Sequence, residues 1–334
     1  MPLVSIIIPC YNEQETIQLL LKAICEQTFP LSDIEVIIAD GMSTDRTREV
    51  LTDFAQSHHD LSLRIVDNNK KIIPAALNRA IEASTGSYII RLDAHSIPYP
   101  DYVERCLIRL ENKGFCDNVG GVWEIRPLKN EWIPVSIAAA AGHRLGAGGA
   151  SYRLENHAKP EYVDTVPFGA FRRNVFDKIG MFDETLLANE DYEFNTRLKL
   201  SGGRIWLDPA IRSIYFSRGN LIDLWRQYWR YGFWKWRMLK LYPTSIKPRQ
   251  ALPPFFVVSL IVLIALSPFW SGFRLLLIIE IVLYSAILVL GILPTAMQQK
   301  DFRLLFGMPL AITTMHISWG TGFLSSLIKS IINK

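Results

Sequence analysis

"SYIIRLDAHSIPYPDYV" (residues 87–103) opens on a short apolar run, Tyr88, Ile89, Ile90 and Leu92, and turns polar at Asp93. A brief run of this kind, bounded by polar residues, predicts a buried strand. A carboxylate where the strand runs out sits where open α/β sheets place ligand chemistry. Alternate residues of an extended segment point the same way, so the side chains of Asp93 and His95 can reach one ion. One carboxylate is a thin ligand set for a metal, so Asp-Ala-His is either a metal-binding loop or an ordinary turn.

The segments before it repeat the same pattern. "LVSIIIP" (3–9), "IEVIIAD" (34–40) and "LRIVDN" (63–68) read as strands. "NEQETIQLLLKAICEQ", with Asn12 or Glu13 near its start, "GMSTDRTREVLTDFAQS", capped by Ser43 or Thr44, and "IPAALNRAIEAS" have helical periodicity. This βαβα order predicts an α/β fold with a mainly parallel sheet flanked by helices. Tyr11, Asn12, Glu13, Asp40, Asp93 and His95 then gather at one sheet edge. Taken singly, Asn12, Glu13, Ser43 and Asp45 are equally well read as helix caps and turn formers. No GxGxxG fingerprint follows the first strand, which argues against a dinucleotide site.

The 334 residues are 49% hydrophobic, and the excess lies at one end. From Leu252 to Leu327 the chain is mostly apolar, with about 252–270 and 273–293 each near the roughly 20 residues a membrane helix needs. Glu280 is the one acid inside the second run, and a third stretch, 307–328, is weaker because it holds His316 and several hydroxyls. Lys235, Arg237, Lys240, Lys247 and Arg249 precede the first span, which by the positive-inside rule makes the N-terminal domain cytoplasmic. The net charge of +4 comes with no basic stripe, so no nucleic-acid partner is expected. The four cysteines have neither zinc nor disulfide-scaffold spacing, which suits a reducing compartment. "VSIII" is too short for a signal peptide.

The stretches "VSIIIPCYNEQETI", "VIIADGMSTDRT", "PAALNRAIEASTGSYIIRLDAHS", "FGAFRRNVFDKIGMFDE", "NEDYEFNTRL" and "QYWRYGFWKW" follow one another across about residues 3–240. In that order they resemble the inverting family 2 glycosyltransferases of the GT-A fold. "RLDAHSIPYPDYV" and "RQYWRYGFWKW" look most like the bacterial exopolysaccharide enzymes of succinoglycan-biosynthesis type, which also carry a hydrophobic C-terminal membrane region.

The resemblance implies roles for particular residues. Asp40 contacts the base of a nucleotide-sugar donor, with Pro9, Tyr11 and Glu13 shaping the same pocket. Asp93 is the first residue of the family's Asp-X-Asp motif, which anchors a divalent ion on the donor diphosphate. This chain has His95 in place of the second Asp, as some other GT-A transferases do, and an imidazole moves preference from Mg²⁺ toward Mn²⁺. The Glu-Asp pair maps to Glu190 and Asp191, with Asp191 as catalytic base. Read from composition alone, that acidic cluster at a helix start simply complements the helix dipole. Gln227, Arg230 and Tyr231 match the Gln-x-x-Arg-Trp acceptor and diphosphate motif, with Tyr for Trp. The surrounding Arg218–Pro243 stretch also reads as a membrane-interface belt.

Together these readings predict a GT-A domain over 1–240, a basic and aromatic linker over 241–251 and a membrane region over 252–328. The expected activity is sugar transfer from a nucleotide-diphosphate sugar to a lipid-linked oligosaccharide or polysaccharide at the cell membrane. A polyprenyl-phosphate sugar transferase and a processive polysaccharide synthase are the enzymatic alternatives, and an inactive membrane scaffold is the non-enzymatic one.

Overall fold

The computed structural model describes residues 2–112, 114–154, 159–245 and 247–332. Two compact units are formed, Met1–Glu124 with Leu154–Tyr215, and Ile125–Arg153 with Phe216–Lys334. The division differs from the expected boundary near residue 240: the helix carrying Gln227, Arg230 and Tyr231 belongs to the second unit, as does 125–153. Within the expected linker 241–251, Ile246 lies outside the described residues.

In the first unit, β1 (Val4–Cys10), α1 (Ile17–Cys25), β2 (Ile34–Asp40), α2 (Thr47–Ser57), β3 (Ser62–Asp67), α3 (Ile73–Ala83) and β4 (Tyr88–Arg91) alternate as expected. Then come β5 (Ser96–Pro98), α4 (Tyr102–Glu111) and β6 (Asn118–Arg126), whose last two residues pass into the second unit. That unit's α5 (Trp132–Ala141) and α6 (Arg144–Ala147) precede β7 (Glu161–Tyr162), β8 (Ala170–Arg172), α7 (Asn174–Ile179), α8 (Glu190–Leu200) and β9 (Ile205–Phe216). The sheet order is β3-β2-β1-β4-β8-β6-β9-β5, with β7 on β9. The first four strands are parallel. β8 enters antiparallel between β4 and β6, so the sheet is mixed. Every residue of β2 is buried, and β1 is nearly so, which explains their unbroken apolar runs. Besides Asp40 at its end, Glu35 is the charged residue of β2. Its carboxylate accepts from Ser5, Thr85 and the Gly86 backbone and pairs with Arg64, so the buried charge is satisfied.

Two helix starts differ from expectation. α1 begins at Ile17 because residues 11–16 bend first, with Asn12 in the left-handed region at φ 56°. Ser43 and Thr44 do not cap α2: Ser43 Oγ accepts from the Asn12 backbone, and the Thr44 backbone donates to Asn12 Oδ1. Asp45 instead accepts from Thr47 at the first turn.

The second unit continues with α9 (Leu221–Leu241), α10 (Pro248–Leu266), α11 (Ser271–Gln299) and α12 (Leu304–Ile332). Its core gathers Ile137 and Ala140 of α5, Leu224 and Tyr228 of α9, Leu288 and Ile292 of α11 and Met308, Ile312 and Met315 of α12. The helices meet at backbone distance. A Cβ on Gly232 would lie 2.0 Å from Trp319 O, and one on Gly322 would lie 2.2 Å from Trp229 O. Arg249–Leu266 and Ser271–Gln299 are long and apolar enough to cross a membrane, and only 11% of each of these windows is buried. Phe255 and Ile261 of α10 and Leu290 of α11 are exposed. The third expected span falls within α12, which does not meet that measure and packs one face on α5 and α9.

Candidate active site

Parallel pairing puts Cys10 beside Asp40, so the loops after β1 and β2 rise from one edge of the sheet. Tyr11 is half exposed and packs its ring beside Gly41, with Pro9 at the strand end below it. Asp40, expected at the nucleotide base, has a fully enclosed side chain. Its oxygens accept from the Ser43 hydroxyl (2.5 Å), the Ser43 backbone (3.0 Å) and Arg48 Nε (2.5 Å). The carboxylate is thus engaged in holding the 41–47 loop. Arg48, which also reaches Asp67 at the end of β3, is the partly exposed group beside it.

β4 ends at Arg91, and the Leu92 amide still bonds Ile7 O, carrying the chain up to Asp93. The Ser96 amide and hydroxyl both close back on Asp93 O, which makes 93–96 a tight turn. Asp93 is one-fifth exposed, and its Oδ1 accepts from Arg91 Nε at 3.3 Å and Nη2 at 3.2 Å. His95 Nδ1 lies 2.9 Å from Glu13 Oε1, and the imidazole meets the Tyr215 ring edge-on at 5.0 Å. Burial works against charge on this imidazole. Tyr215, the Glu13 hydrogen bond and the nearby Glu13 and Asp93 charges outweigh it and raise its pKa to about 10. Glu13, expected in the donor pocket, thereby also orients His95.

α8 supplies the second acidic element. Asn189 takes the left-handed conformation (φ 64°), and Glu190, Asp191 and Glu193 fill the first turn, where the helix dipole favours negative charge. Asp191 Oδ1 accepts from the Tyr192 amide at 2.7 Å. Arg197 ties the helix down, pairing with Glu193 and donating to Met181 O. Glu190 is buried, and its Oε1 lies 3.1 Å from Arg91 Nη2. Burial pushes the Glu190 carboxyl up against the opposing pull of Arg91. A small cavity is lined by Asp191 together with Arg91, Asn118, Gly169 and Asn195.

Arg91 therefore links Asp93 to Glu190, the neighbour of Asp191, and the His95–Glu13 pair stands on the turn that follows Asp93. Arg91 had no sequence signal, since one arginine ending an apolar strand reads as a strand terminus reaching for water. Gln227 and Tyr231 meet each other on α9, where the amide donates to the phenol at 3.1 Å, and Arg230 lies on the same helix of the second unit. Among the described residues, no group of three or more His, Cys, Asp or Glu forms a metal cage.

A family model described as "Glycosyl transferase family 2" matches residues 5–180. The chain belongs to glycosyl transferase family 2. This family 2 glycosyltransferase is 31% identical over 333 residues to the succinoglycan biosynthesis protein ExoA of Rhizobium meliloti (strain 1021), covering 97% of this chain and 94% of that protein. It is 28% identical over 243 residues to a dolichyl N-acetyl-alpha-D-glucosaminyl phosphate 3-beta-D-2,3-diacetamido-2,3-dideoxy-beta-D-glucuronosyltransferase of Methanococcus voltae, covering 72% and 75%. Among solved structures it resembles the mannosyltransferase PcManGT from Pyrobaculum calidifontis, determined in complex with GDP-Man and Mn²⁺. That match has a TM-score of 0.62 at 20% identity and covers 98% of this chain and 87% of that one. The fold is thus the GT-A fold of the family, followed by long C-terminal helices.

Proposed function

We propose that this family 2 glycosyltransferase is a membrane-anchored inverting enzyme. It moves a sugar from a nucleotide-diphosphate sugar to a lipid-linked oligosaccharide or polysaccharide acceptor in exopolysaccharide or cell-surface glycan synthesis. The observation that carries this reading is the Asp93–Arg91–Glu190 chain, which ties the loop expected at the donor diphosphate to the helix turn that holds Asp191. The relationship to a succinoglycan biosynthesis protein supports exopolysaccharide synthesis, the dolichyl-linked acceptor in the name of the Methanococcus relative supports a lipid-linked acceptor, and the nucleotide sugar bound by the Pyrobaculum enzyme supports the donor class.

In this reading Asp191 accepts the proton of the acceptor hydroxyl while that oxygen attacks the anomeric carbon from the face opposite the diphosphate. The new glycosidic bond forms as the bond to the leaving phosphate oxygen breaks. The Tyr192 amide fixes one Asp191 oxygen, which leaves the other for the proton.

The donor set fits a divalent ion that arrives with the substrate. Asp93 Oδ2 and His95 Nε2 would hold it, since Arg91 takes Asp93 Oδ1 and Glu13 takes His95 Nδ1, and the charged imidazole would release its Nε2 proton as the ion binds. A carboxylate on the far nitrogen of a metal-binding histidine is the usual way its tautomer and angle are set. Such an ion, preferentially Mn²⁺, neutralises charge on the departing nucleoside diphosphate. Two protein ligands make an incomplete cage, which phosphate oxygens of the substrate would complete.

α10 and α11 are the membrane anchor in this reading, with the first unit cytoplasmic. Arg237, Lys240, Lys247 and Arg249 form the basic flank, and Arg237 stacks over Trp234 at 4.6 Å. Lys235 drops out of that flank, because it is buried in the helix packing. Arg230 on α9 serves the phosphate of the acceptor. The test is transfer by the purified full chain over a panel of nucleotide sugars with polyprenyl-linked acceptors. Turnover of one donor–acceptor pair supports the reading, and nucleotide-sugar binding with no turnover on any of them would refute it.

A further inference from the structure

Arg91 touches two carboxylates that have separate tasks in the reading above. Its Nη2 lies 3.2 Å from Asp93 Oδ1 and 3.1 Å from Glu190 Oε1, and Nε adds a 3.3 Å contact to Asp93. The side chains of Arg91 and Glu190 are only 8% and 7% exposed, so neither charge can turn to bulk water. The guanidinium is also incompletely engaged. Its Nη1 is buried with no hydrogen-bond partner, and Arg91 lines a small cavity together with Asp191 and Asn118, whose Oδ1 likewise has none. One donor nitrogen shared between two acceptors, with another left over, describes a cation that can shift its weight from one carboxylate to the other.

Resting on the assignment of Asp93 to the metal and Asp191 to the base, we infer that Arg91 couples cation binding at Asp93 to the seating of Glu190 and Asp191 at the start of α8. A divalent cation and the guanidinium compete for the charge of Asp93. When the cation is bound, the Arg91–Asp93 contact weakens and Arg91 settles on Glu190, fixing the helix turn that presents Asp191. Without the cation, Arg91 is divided between the two carboxylates. Because linkage is reciprocal, Glu190 favours cation binding by giving Arg91 an alternative partner, although it is not itself a ligand. Arg91 is a positioning residue here, since it touches no reacting atom.

The test measures Mn²⁺ binding directly, by electron paramagnetic resonance, on the full chain in detergent with UDP or GDP present and no transfer under way. Glu190→Gln is predicted to weaken Mn²⁺ binding by about five- to tenfold when Arg91 is present, and by less than about twofold in the Arg91→Gln background. Equal loss in both backgrounds would overturn the inference, because Glu190 would then act by its own charge. No loss in either background would overturn it too. Should Arg91→Gln fail to show a cooperative melt, Arg91→Lys carries the same cycle: the lysine stem ends short of the Nη2 position that both carboxylates share, so the coupling should again collapse. Asp93→Asn separates this inference from the reading beneath it. Mn²⁺ binding that survives Asp93→Asn refutes the metal assignment, whereas binding lost in Asp93→Asn but unmoved by Glu190→Gln refutes the coupling alone.

Discussion

His95 Nδ1 and Glu13 Oε1 are 2.9 Å apart, although 82 positions separate them in the chain. The second oxygen of Glu13 accepts from the Thr16 hydroxyl, so the carboxylate is itself held in place. This pairing turns the unusual Asp-Ala-His sequence into an oriented imidazole. Glu13→Gln should therefore raise the Mn²⁺ concentration needed for half-maximal transfer by about 10–100-fold, the usual cost of removing an outer-shell partner. A Mn²⁺ titration of initial rates checks this, and an unchanged requirement would leave Glu13 to the donor pocket alone.

The metal preference follows from the same ligands. Chelation should abolish transfer, and Mn²⁺ should restore it better than Mg²⁺, because the imidazole suits a transition ion better than a hard one. Full turnover in excess chelator would remove the metal from the mechanism, and better rescue by Mg²⁺ would remove His95 from its ligands.

Much of the first unit was legible before any coordinates. The apolar runs at 4–10, 34–40 and 88–92 are strands because they lie inside the sheet, where both faces are covered and no polar alternation survives. Asp93 stands out because it bounds such a run, whereas Glu190 and Asp191 stand out through the family resemblance and not through any such pattern. The pairings between these segments were not legible. Nothing local links Arg91 to Glu190, Glu13 to His95 or Asn118 to Asn195, since only the fold brings them together. The loop residues were misread for the opposite reason. Ser43 and Thr44 satisfy every local rule for a helix cap, yet Asn12 and Asp40 across the edge use their hydrogen bonds instead. The sequence reading places 125–153 and α9 in the GT-A domain, because helix-to-helix packing through glycines leaves no periodic signature.

Lys235 gives a pH signature for that packing. It is 3% exposed, and burial, with Lys247 adding to it, lowers its pKa from 10.5 to about 7. The folded state then binds fewer protons than the unfolded state between those two values, so stability rises with pH across that window and is lowest below about pH 7. Its Nζ donates to Ser245 O at 3.1 Å. Lys235→Met should flatten the rise in melting temperature between about pH 7 and 9 and raise the value at pH 6. A melting curve that keeps its slope in this variant would assign it to other groups.

Gly232 tests the close approach of α9 and α12. Gly to Ala inside a helix ordinarily stabilises by about 1 kcal/mol. Here the added methyl would lie 2.0 Å from the Trp319 carbonyl oxygen, so Gly232→Ala should instead destabilise, by about 1–3 kcal/mol. Denaturation of the detergent-solubilised protein reads the sign directly. A stabilised variant would mean that the two helices do not meet there.

The role of Asp191 is the centre of the account, and Asp191→Asn tests it most directly. The amide preserves size but cannot take the acceptor's proton. Turnover at saturating donor, acceptor and Mn²⁺ should fall by about 10²–10⁴-fold, with donor affinity from equilibrium binding changed by less than about twofold. Near-normal turnover in this variant would contradict the account and move the base elsewhere, with Glu190 the first residue to examine.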